Sequence, residues 1–226
     1  DPNFEVYYFL IICLSLRFFC CFFCFFFQLW DAETGKLKQI LKGHAGFIRE
    51  IAFSPDSQLL VSASTDATVK IWDVATGREV HTSAKNGTGI TRIAFSPDGT
   101  RVISGSLAGV VQLWNAKSGA EQLKLRPHQS ECGGCAFSPT GSHFVSVGLI
   151  DGVVVLYESS NGTLLGSFRS SGGLSHVTFS PDGRWLAAAA RKPTVDSKTR
   201  TIRIWDLSPL ASLLGGKAEP ARPPGR

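Results

Sequence analysis

Short apolar runs separated by turn residues dominate the chain from residue 28 onward. One complete unit, residues 43–77, contains three strand-like segments at 47–53, 59–64 and 68–73. Ser-Pro-Asp and Thr-Asp-Ala separate these segments, and such residues favour turns because proline cannot donate to a strand ladder. The third segment alternates apolar and polar residues with a period of two, as a half-buried strand does. With a more polar segment at 79–82, the pattern predicts four short antiparallel strands per unit.

The unit repeats with one period over most of the chain. Phe-Ser-Pro begins at Phe53, Phe95, Phe137 and Phe179, with 42 residues between successive copies. The aromatic residue that closes the third strand recurs with steps of 42, 42, 43 and 48 residues, as Trp30, Trp72, Trp114, Tyr157 and Trp205. Two independent markers with one period predict an array of similar units, each of which must stack against its neighbours to bury its faces.

The units resemble the WD-repeat family of β-propellers over residues 28–207, through the opening Gly-His and the closing Ile-Trp-Asp. The resemblance implies an all-β fold, an incomplete β-propeller of four-stranded antiparallel blades. We predict the following divisions: a hydrophobic segment at 1–27, a half blade at 28–41, repeats at about 43–84, 85–126, 127–168 and 169–207, and a disordered tail at 208–226. An incomplete ring leaves one blade face open at each end, so we expect residues 28–207 to self-associate or aggregate when expressed.

The resemblance also implies a buried hydrogen-bond network within each blade. In the family, the histidine of Gly-His, a second-strand serine or threonine, the turn aspartate and the third-strand tryptophan form this network. The first complete repeat carries all four residue types, as His44, Ser62 (or Ser64), Asp66 and Trp72. Their chemistry fits, because a carboxylate accepts from an imidazole N–H, and a hydroxyl and an indole N–H extend the chain. The later repeats keep parts of the set, namely Trp114, then His128 with Asp151, and finally Trp205.

Residues 6–27 form an apolar run interrupted only by Ser15 and Arg17. The run is long enough to span a bilayer, and we expect it to be helical. However, it is unusually rich in Phe and Cys, and it leads directly into Gln28-Leu-Trp-Asp, a third-strand ending. Residues with pyrimidine-rich codons followed by Gln fit translation across the end of an intron. The competing hypotheses are a gene-model artefact or retained intron, and a genuine membrane anchor.

Composition narrows the picture further. The chain has 226 residues and a formal net charge of +5, begins with Asp and contains no Met. We therefore expect a fragment whose missing blades belong to the rest of the full-length chain. The charge is scattered, and no basic stripe alternates with aromatic residues, which argues against a nucleic-acid partner. An insertion at 191–200, with four basic residues and one acidic residue, predicts a solvated loop or, alternatively, a docking loop for an acidic partner or phosphate.

Four of the six cysteines lie in residues 1–27, and the other two form Cys132-Gly-Gly-Cys135. A zinc site needs two more ligands, and a redox pair needs a helix N-terminus, so we predict packed thiols with no metal and no cofactor. Few cysteines in the repeats and no convincing signal peptide favour an intracellular location, cytoplasmic or nuclear. A membrane-anchored protein held by residues 6–27 is the alternative.

The sequence shows no glycine-rich phosphate loop, metal cluster or positioned acid–base pair of an enzyme. The resemblance implies a non-catalytic scaffold that binds other proteins on the propeller face. In the family, the entry of the first strand and the residue before the turn aspartate point to that face. The matching positions are Phe47, Arg49 and Thr65 in the first repeat, Thr91 and Leu107 in the second, and Glu131 and Ile150 in the third. An exposed Phe beside an Arg is typical of an interface hot spot.

Three alternatives remain open. The candidate partner-binding residues could simply pack locally. The propeller could be the sensor or targeting arm of a larger regulatory protein, such as a kinase or NTPase, whose effector domain lies elsewhere. His44, Asp66 and Ser62 could form a hydrolase triad, which requires an accessible serine, whereas we expect all three residues to be buried.

Overall fold

The computed structural model describes residues 9–12 by their backbone alone, and residues 25–83, 87–190 and 201–210. Within these residues the chain forms five antiparallel sheets, which we number 1 to 5 in chain order. A short 3-10 helix, Ser208–Leu210, follows the last strand. The prediction of an all-β fold built from four-stranded antiparallel blades is confirmed.

The strands follow one another in space in chain order within every sheet. Sheet 1 contains β1 (Phe9–Ile12), β2 (Phe26–Asp31) and β3 (Leu37–Lys42). Sheet 2 contains β4 (Ile48–Phe53), β5 (Leu59–Ser64), β6 (Val69–Asp73) and β7 (Glu79–Thr82). Sheet 3 contains β8 (Ile90–Phe95), β9 (Arg101–Ser106), β10 (Val111–Asn115) and β11 (Glu121–Leu125). Sheet 4 contains β12 (Cys132–Phe137), β13 (His143–Gly148), β14 (Val153–Glu158) and β15 (Leu164–Arg169). Sheet 5 contains β16 (Leu174–Phe179), β17 (Trp185–Ala190) and β18 (Ile202–Asp206).

The repeated Ser-Pro-Asp forms the turn between the first two strands of a blade. In sheet 2 the Ser54 hydroxyl donates to Asp56 Oδ1 at 2.5 Å and accepts from the Leu59 N–H at 2.9 Å. Sheet 3 has the same arrangement around Ser96 and Asp98. The side chains thus replace the strand hydrogen bonds that the proline interrupts.

Each sheet has a front face, turned toward the next sheet in the chain, and a back face, turned toward the previous one. Four buried apolar clusters join consecutive sheets, from sheets 1 and 2 to sheets 4 and 5. In each cluster an aromatic residue on the back face of the later sheet packs on the front face of the earlier one: Trp72, Trp114, Tyr157 and Trp205. These stacked interfaces form the core of an incomplete propeller, as repeat proteins require.

The expectation of a helix in residues 1–27 is wrong for the stretch that the structure describes. Residues 9–12 form β1, which pairs with β2 in antiparallel register, with Leu10 opposite Trp30. The register matches that of sheet 2, where Leu60 lies opposite Trp72. An edge strand with unpaired N–H and C=O groups binds an extended apolar segment readily, and Phe and Ile favour strands. The half blade therefore has three strands in the structure.

Several predictions fall outside the described residues. These are the conformation of the remainder of residues 1–24, the Gly-His position of the second repeat at 85–86, the basic insertion at 191–200, and the tail at 211–226. Among the helices of the described residues, none is long and apolar enough to cross a membrane.

Candidate protein-interaction surface and its supporting network

Sheet 2 holds the complete buried network. His44 Nδ1 lies 2.9 Å from Asp66 Oδ2, and His44 Nε2 lies 2.7 Å from Ser62 Oγ. The Trp72 indole N–H donates to the same Ser62 oxygen at 2.9 Å. Because a carboxylate only accepts, Nδ1 carries the imidazole proton, and the Ser62 hydroxyl must donate to Nε2 while accepting from the indole. Of the two candidate serines the structure places Ser62 in the network, and Ser64 instead accepts from the Asp66 N–H.

Asp66 also closes the turn in which it lies. Its carboxylate accepts from the Ala45 N–H at 2.8 Å and from the Thr68 hydroxyl at 2.6 Å. Although burial opposes its ionisation, hydrogen bonds from Thr68, His44 and Ala45 lower the pKa of Asp66 to about 2. Burial lowers the pKa of His44 despite the neighbouring carboxylate. The pair is therefore a neutral imidazole hydrogen-bonded to a carboxylate at neutral pH.

The hydrolase alternative conflicts with the burial of this site. The side chains of His44 and Asp66 are only 0% and 7% exposed, and Ser62 has no exposed surface. A nucleophilic serine must reach its substrate, and this hydroxyl already donates to one neighbour and accepts from another. The arrangement favours a structural role.

Sheet 3 keeps a reduced form of the network. The Trp114 indole N–H donates to Ser104 Oγ at 2.9 Å, as Trp72 does to Ser62. The two serines are 42 residues apart, so the period of the chain could have identified Ser104 from the sequence.

Sheet 4 keeps the histidine–serine part of the network and lacks the tryptophan. His128 Nε2 lies 2.9 Å from Ser146 Oγ, at the third serine of the same period. His128 Nδ1 lies 3.8 Å from the nearest Asp151 carboxylate oxygen and has no hydrogen-bond partner in the described part of the chain. Burial lowers the pKa of His128 to about 4, because the distant Asp151 compensates only partly. Tyr157 occupies the tryptophan position.

Sheets 1 and 5 carry the aromatic without the serine. Trp205 stacks on Phe168 with ring centroids 5.9 Å apart, and Ala188 occupies the serine position of its sheet. In sheet 1 the register places Ile12 opposite Gln28, where Ser62 lies opposite Lys70 in sheet 2. The Trp30 indole N–H is accordingly buried without a partner among the described residues.

The candidate partner-binding residues lie where the first strands begin, which we call the entrance face. Here the Thr65 hydroxyl accepts from the Phe47 N–H at 2.8 Å, and the Phe47 ring stacks on Phe25 at 5.8 Å. Arg49 of sheet 2 reaches across to Glu131 of sheet 4, with 3.8 Å between the nearest nitrogen and oxygen. The structure thus joins these four predicted residues in two pairs.

The other three predicted partner-binding positions, Leu107, Ile150 and Thr91, differ in their solvent exposure. Leu107 and Ile150, at the turns between second and third strands, are 44% and 70% exposed. Thr91 is fully buried, and its hydroxyl donates toward the carbonyl oxygens of Gly105 and Cys132 at 3.3 and 3.2 Å. Its placement on the partner-facing surface was therefore wrong, because in sheet 3 this position ties the first strand to the next sheet.

The first strands also carry charged side chains that bind the backbone of the next sheet, which the sequence analysis missed. Glu50 of sheet 2 accepts from the Ile93 N–H of sheet 3 at 2.7 Å. Arg92 Nε of sheet 3 donates to the Gly133 carbonyl of sheet 4 at 2.6 Å. Burial raises the pKa of Glu50, against the Ile93 N–H and the charge of Arg92. Glu50 and Arg92 are 42 residues apart, so the same period would have revealed them as clamps between sheets.

The cysteine pair has a packing explanation. A Cβ atom on Gly133 would lie 1.9 Å from the Leu174 carbonyl oxygen, so β12 and β16 can approach only through glycine. Burial raises the pKa of Cys132 to about 12 and that of Cys135 well above its usual value. Both are free thiols. Within the described residues no group of three or more His, Cys, Asp or Glu side chains could hold a metal ion.

Comparison with known proteins agrees with the strand pattern. Four consecutive segments, 35–73, 77–115, 119–158 and 162–206, match the family model described as WD domain, G-beta repeat. Each matched segment contains the outer strand of one sheet and the first three strands of the next. Every repeat is therefore shared between two sheets, which fastens consecutive sheets through the chain itself.

Individual relatives match over one repeat length. WD repeat-containing protein SL1-17 of Schistosoma mansoni is 48% identical over 44 residues, which is 20% of this chain and 14% of that protein. The human U5 small nuclear ribonucleoprotein 40 kDa protein is 44% identical over 41 residues, 18% of this chain and 12% of that protein. Mouse WD repeat and SOCS box-containing protein 1 is 47% identical over 45 residues, 20% of this chain and 11% of that protein. The aligned stretches thus span less than a sixth of these relatives.

Proposed function

Because the chain belongs to the WD40-repeat family, we propose that it is a non-catalytic scaffold that binds other proteins on its entrance face. Repeats of this family generally mediate contacts between proteins, and stacked repeats create extended binding surfaces. The observation that supports this face is the Arg49–Glu131 pair, and the same face carries the exposed apolar side chains Leu107 and Ile150.

The chemistry of this face suits a protein partner. Interfaces combine apolar anchors with charged groups at their rim, and arginine is enriched among hot spots. Half of the Arg49 side chain is covered, and its contact with Glu131 is long at 3.8 Å, so a partner carboxylate could displace it. Ile150 is the most exposed apolar residue of the face, and we assign it the anchor role.

The test is quantitative capture with matched variants. Wild-type protein, Ile150→Asp, Arg49→Glu and the control Val80→Asp are immobilised, and bound proteins are compared by mass spectrometry. Val80 is also exposed and apolar, at 44%, but lies on an outer strand. We expect a set of proteins retained by wild type and the control and lost from both entrance-face variants. Identical capture by all four proteins would refute the assignment of the entrance face.

Location and wider context are also proposals. We place the protein in the cytoplasm or nucleus, supported by its two free thiols, Cys132 and Cys135, and by the relative named as a small nuclear ribonucleoprotein component. The second candidate function is the targeting arm of a larger regulatory protein. One relative's name joins WD repeats to a SOCS box, which favours it. A catalytic or nucleotide-binding motif elsewhere in the full-length coding sequence would support this candidate, and a coding sequence containing only WD repeats would exclude it.

A further inference from the structure

The outer strand of one sheet is fastened to the next sheet at a repeated position. Gln39 Nε2 donates to the Ala75 carbonyl at 3.1 Å and joins sheet 1 to sheet 2. His81, 42 residues after Gln39, places Nε2 2.6 Å from the Lys117 carbonyl oxygen and joins sheet 2 to sheet 3. Because a carbonyl oxygen only accepts, this imidazole nitrogen carries a proton. Each of the first two junctions is therefore closed by a polar side chain of the outer strand.

The junction between sheets 3 and 4 lacks this closure. The equivalent residue of its outer strand is Leu123, 42 residues after His81, and a leucine side chain cannot donate a hydrogen bond. The equivalent carbonyl, that of Ser159, instead accepts from Arg101 Nη1 at 2.8 Å. An arginine thus takes over the hydrogen bond that the outer strand makes at the other two junctions.

A cavity of about 380 Å³ lies at this third junction, and its volume is within the range of small ligand sites. Leu113 and Leu123 contribute apolar wall, and Ser159 contributes a buried hydroxyl without a partner among the described residues. Sheets 3 and 4 both have four strands, and each packs on a further sheet, so the cavity is internal to the array. It lies at the opposite end of the sheets from the entrance face, because Arg101 begins β9 whereas Leu107 follows its last residue.

Hydrogen-bond donors dominate the polar part of the cavity wall. Arg101 donates to two neutral backbone carbonyls and forms no ion pair within the described part of the chain. Asn115 Oδ1 already accepts from two backbone N–H groups of its own turn, which leaves the side-chain NH₂ group available. The exposed side chain of Gln122 makes no hydrogen bond with other described residues. Asp98 is engaged in its own turn, where a hydrogen bond from Ser96 and, more weakly, the charge of Arg101 lower its pKa.

We propose that this cavity binds the side chain of a glutamate in an extended segment of a partner protein. The glutamate carboxylate accepts from Arg101 and from the Asn115 amide, because guanidinium and carboxylate groups form strong charge-assisted hydrogen bonds. Its methylene groups lie against Leu123. The exposed Gln122 marks the open side of the cavity, along which the main chain of the segment passes. The contact gives the protein a second binding surface, separate from the entrance face.

Three variants test this assignment. Leu123→His restores the outer-strand clamp and fills the cavity, so we expect a higher melting temperature together with loss of binding. Arg101→Gln removes the cation and should weaken binding by roughly 10- to 100-fold. The control His81→Leu removes the clamp of the preceding junction, where Leu59 occupies the position of Arg101. This control should lower the melting temperature and leave binding unchanged.

The measurement is surface plasmon resonance on the immobilised full chain. The analytes are acetylated and amidated pentapeptides with a central glutamate, their twins with glutamine at that position, and inorganic phosphate. We expect the glutamate peptides to bind wild type and His81→Leu, and the glutamine twins to bind roughly 10- to 100-fold more weakly. Circular dichroism melts verify that each variant is folded, and the stabilised Leu123→His separates loss of the site from loss of the fold.

Three results would overturn the proposal. Failure of every glutamate peptide to bind wild type would show that the cavity does not recognise a carboxylate. Undiminished binding by Leu123→His would place the peptide site elsewhere on the molecule. Binding of phosphate, without a preference for glutamate over glutamine peptides, would assign the cavity to a free oxyanion instead of a partner segment.

Discussion

Replacing Ser62 by alanine isolates the energetic role of the buried network. The hydroxyl serves two buried neighbours, since it accepts from Trp72 Nε1 at 2.9 Å and lies 2.7 Å from His44 Nε2. Its removal leaves an indole N–H and an imidazole nitrogen without partners in a site with no solvent contact. An unsatisfied buried polar group costs about 1–3 kcal/mol, so we expect Ser62→Ala to destabilise the protein by about 2–4 kcal/mol.

The chain supplies matched comparisons for this variant. Among the described residues, the Ser104 hydroxyl binds only the Trp114 side chain, and the Ser146 hydroxyl binds only the His128 side chain. Each alanine variant at these positions leaves one neighbour unsatisfied, so we expect a loss of about 1–2 kcal/mol for either. For a chain of this size the corresponding decreases in melting temperature are roughly 5–15 °C for Ser62→Ala and about 2–8 °C for the other two.

Equilibrium unfolding in urea, followed by tryptophan fluorescence and far-ultraviolet circular dichroism, provides the assay. Repeat arrays can unfold in more than one step, so the midpoints are compared only where the slopes agree. The reasoning predicts an order, with Ser62→Ala clearly below the two single-neighbour variants. Equal losses for all three variants would refute it, because the number of stranded partners would then not determine the effect.

Three further predictions test the packing and ionisation of the core. Gly133→Ala places a Cβ atom 1.9 Å from a backbone oxygen and should lower the free energy of unfolding by about 3 kcal/mol or more. The control Gly35→Ala has nothing within 4 Å of its Cβ atom and a φ of +64°, so it should lose only about 1–2 kcal/mol. Urea midpoints of the two variants measure the difference. Cys132 is buried and Cys135 partly buried, and burial raises the pKa of both thiols, so both should resist iodoacetamide in the native protein and react after unfolding. Peptide mapping that finds native labelling of Cys132 at pH 8 would contradict its burial. His128 has a folded-state pKa of about 4, below its ordinary 6.5, so its stabilising contribution is complete above pH 6.5 and declines as the pH falls toward 4; the drop in urea midpoint between pH 7.5 and pH 5 should therefore be smaller in His128→Gln than in wild type.

The period of the chain predicted the strands well because the turns and strand pairs within a blade join residues that are close in the sequence. In the first turn of sheet 2, Ser54 binds Asp56 and Leu59, which follow it by two and five residues. Trp72 of the third strand pairs with Leu60 of the adjacent second strand. Contacts of this kind depend on short spacings that a sequence displays directly. Ser104 and Ser146 follow Ser62 at intervals of 42 residues, so comparison of equivalent positions in the repeats would have identified them from the sequence.

Other features depend on contacts between distant parts of the chain and could not be predicted from pattern. The pairing of β1 with β2 depends on an unpaired strand edge, and apolar composition alone suggested a helix. Thr91 has the position of a surface residue, yet its sheet packs closely enough for its hydroxyl to approach the Cys132 carbonyl of the next sheet. The role of Gly133 likewise appears only when the distance between β12 and β16 is known.

The relative sizes of two energies explain which part of the repeat survives throughout the chain. An aromatic residue occupies the closing position in every sheet, whereas the serine is replaced by Ala188 in sheet 5 and by Ile12 in sheet 1. Burying an aromatic side chain removes on the order of 200 Å² from water, which is worth about 5 kcal/mol, whereas a buried hydrogen bond contributes only about 1 kcal/mol net. Loss of the aromatic would open the interface between two sheets, while loss of the hydroxyl only leaves one indole N–H unsatisfied, as at Trp30. The closing aromatic is thus the element that a stacked sheet cannot lose, and the hydrogen-bond network is an addition that sheet 2 retains in full.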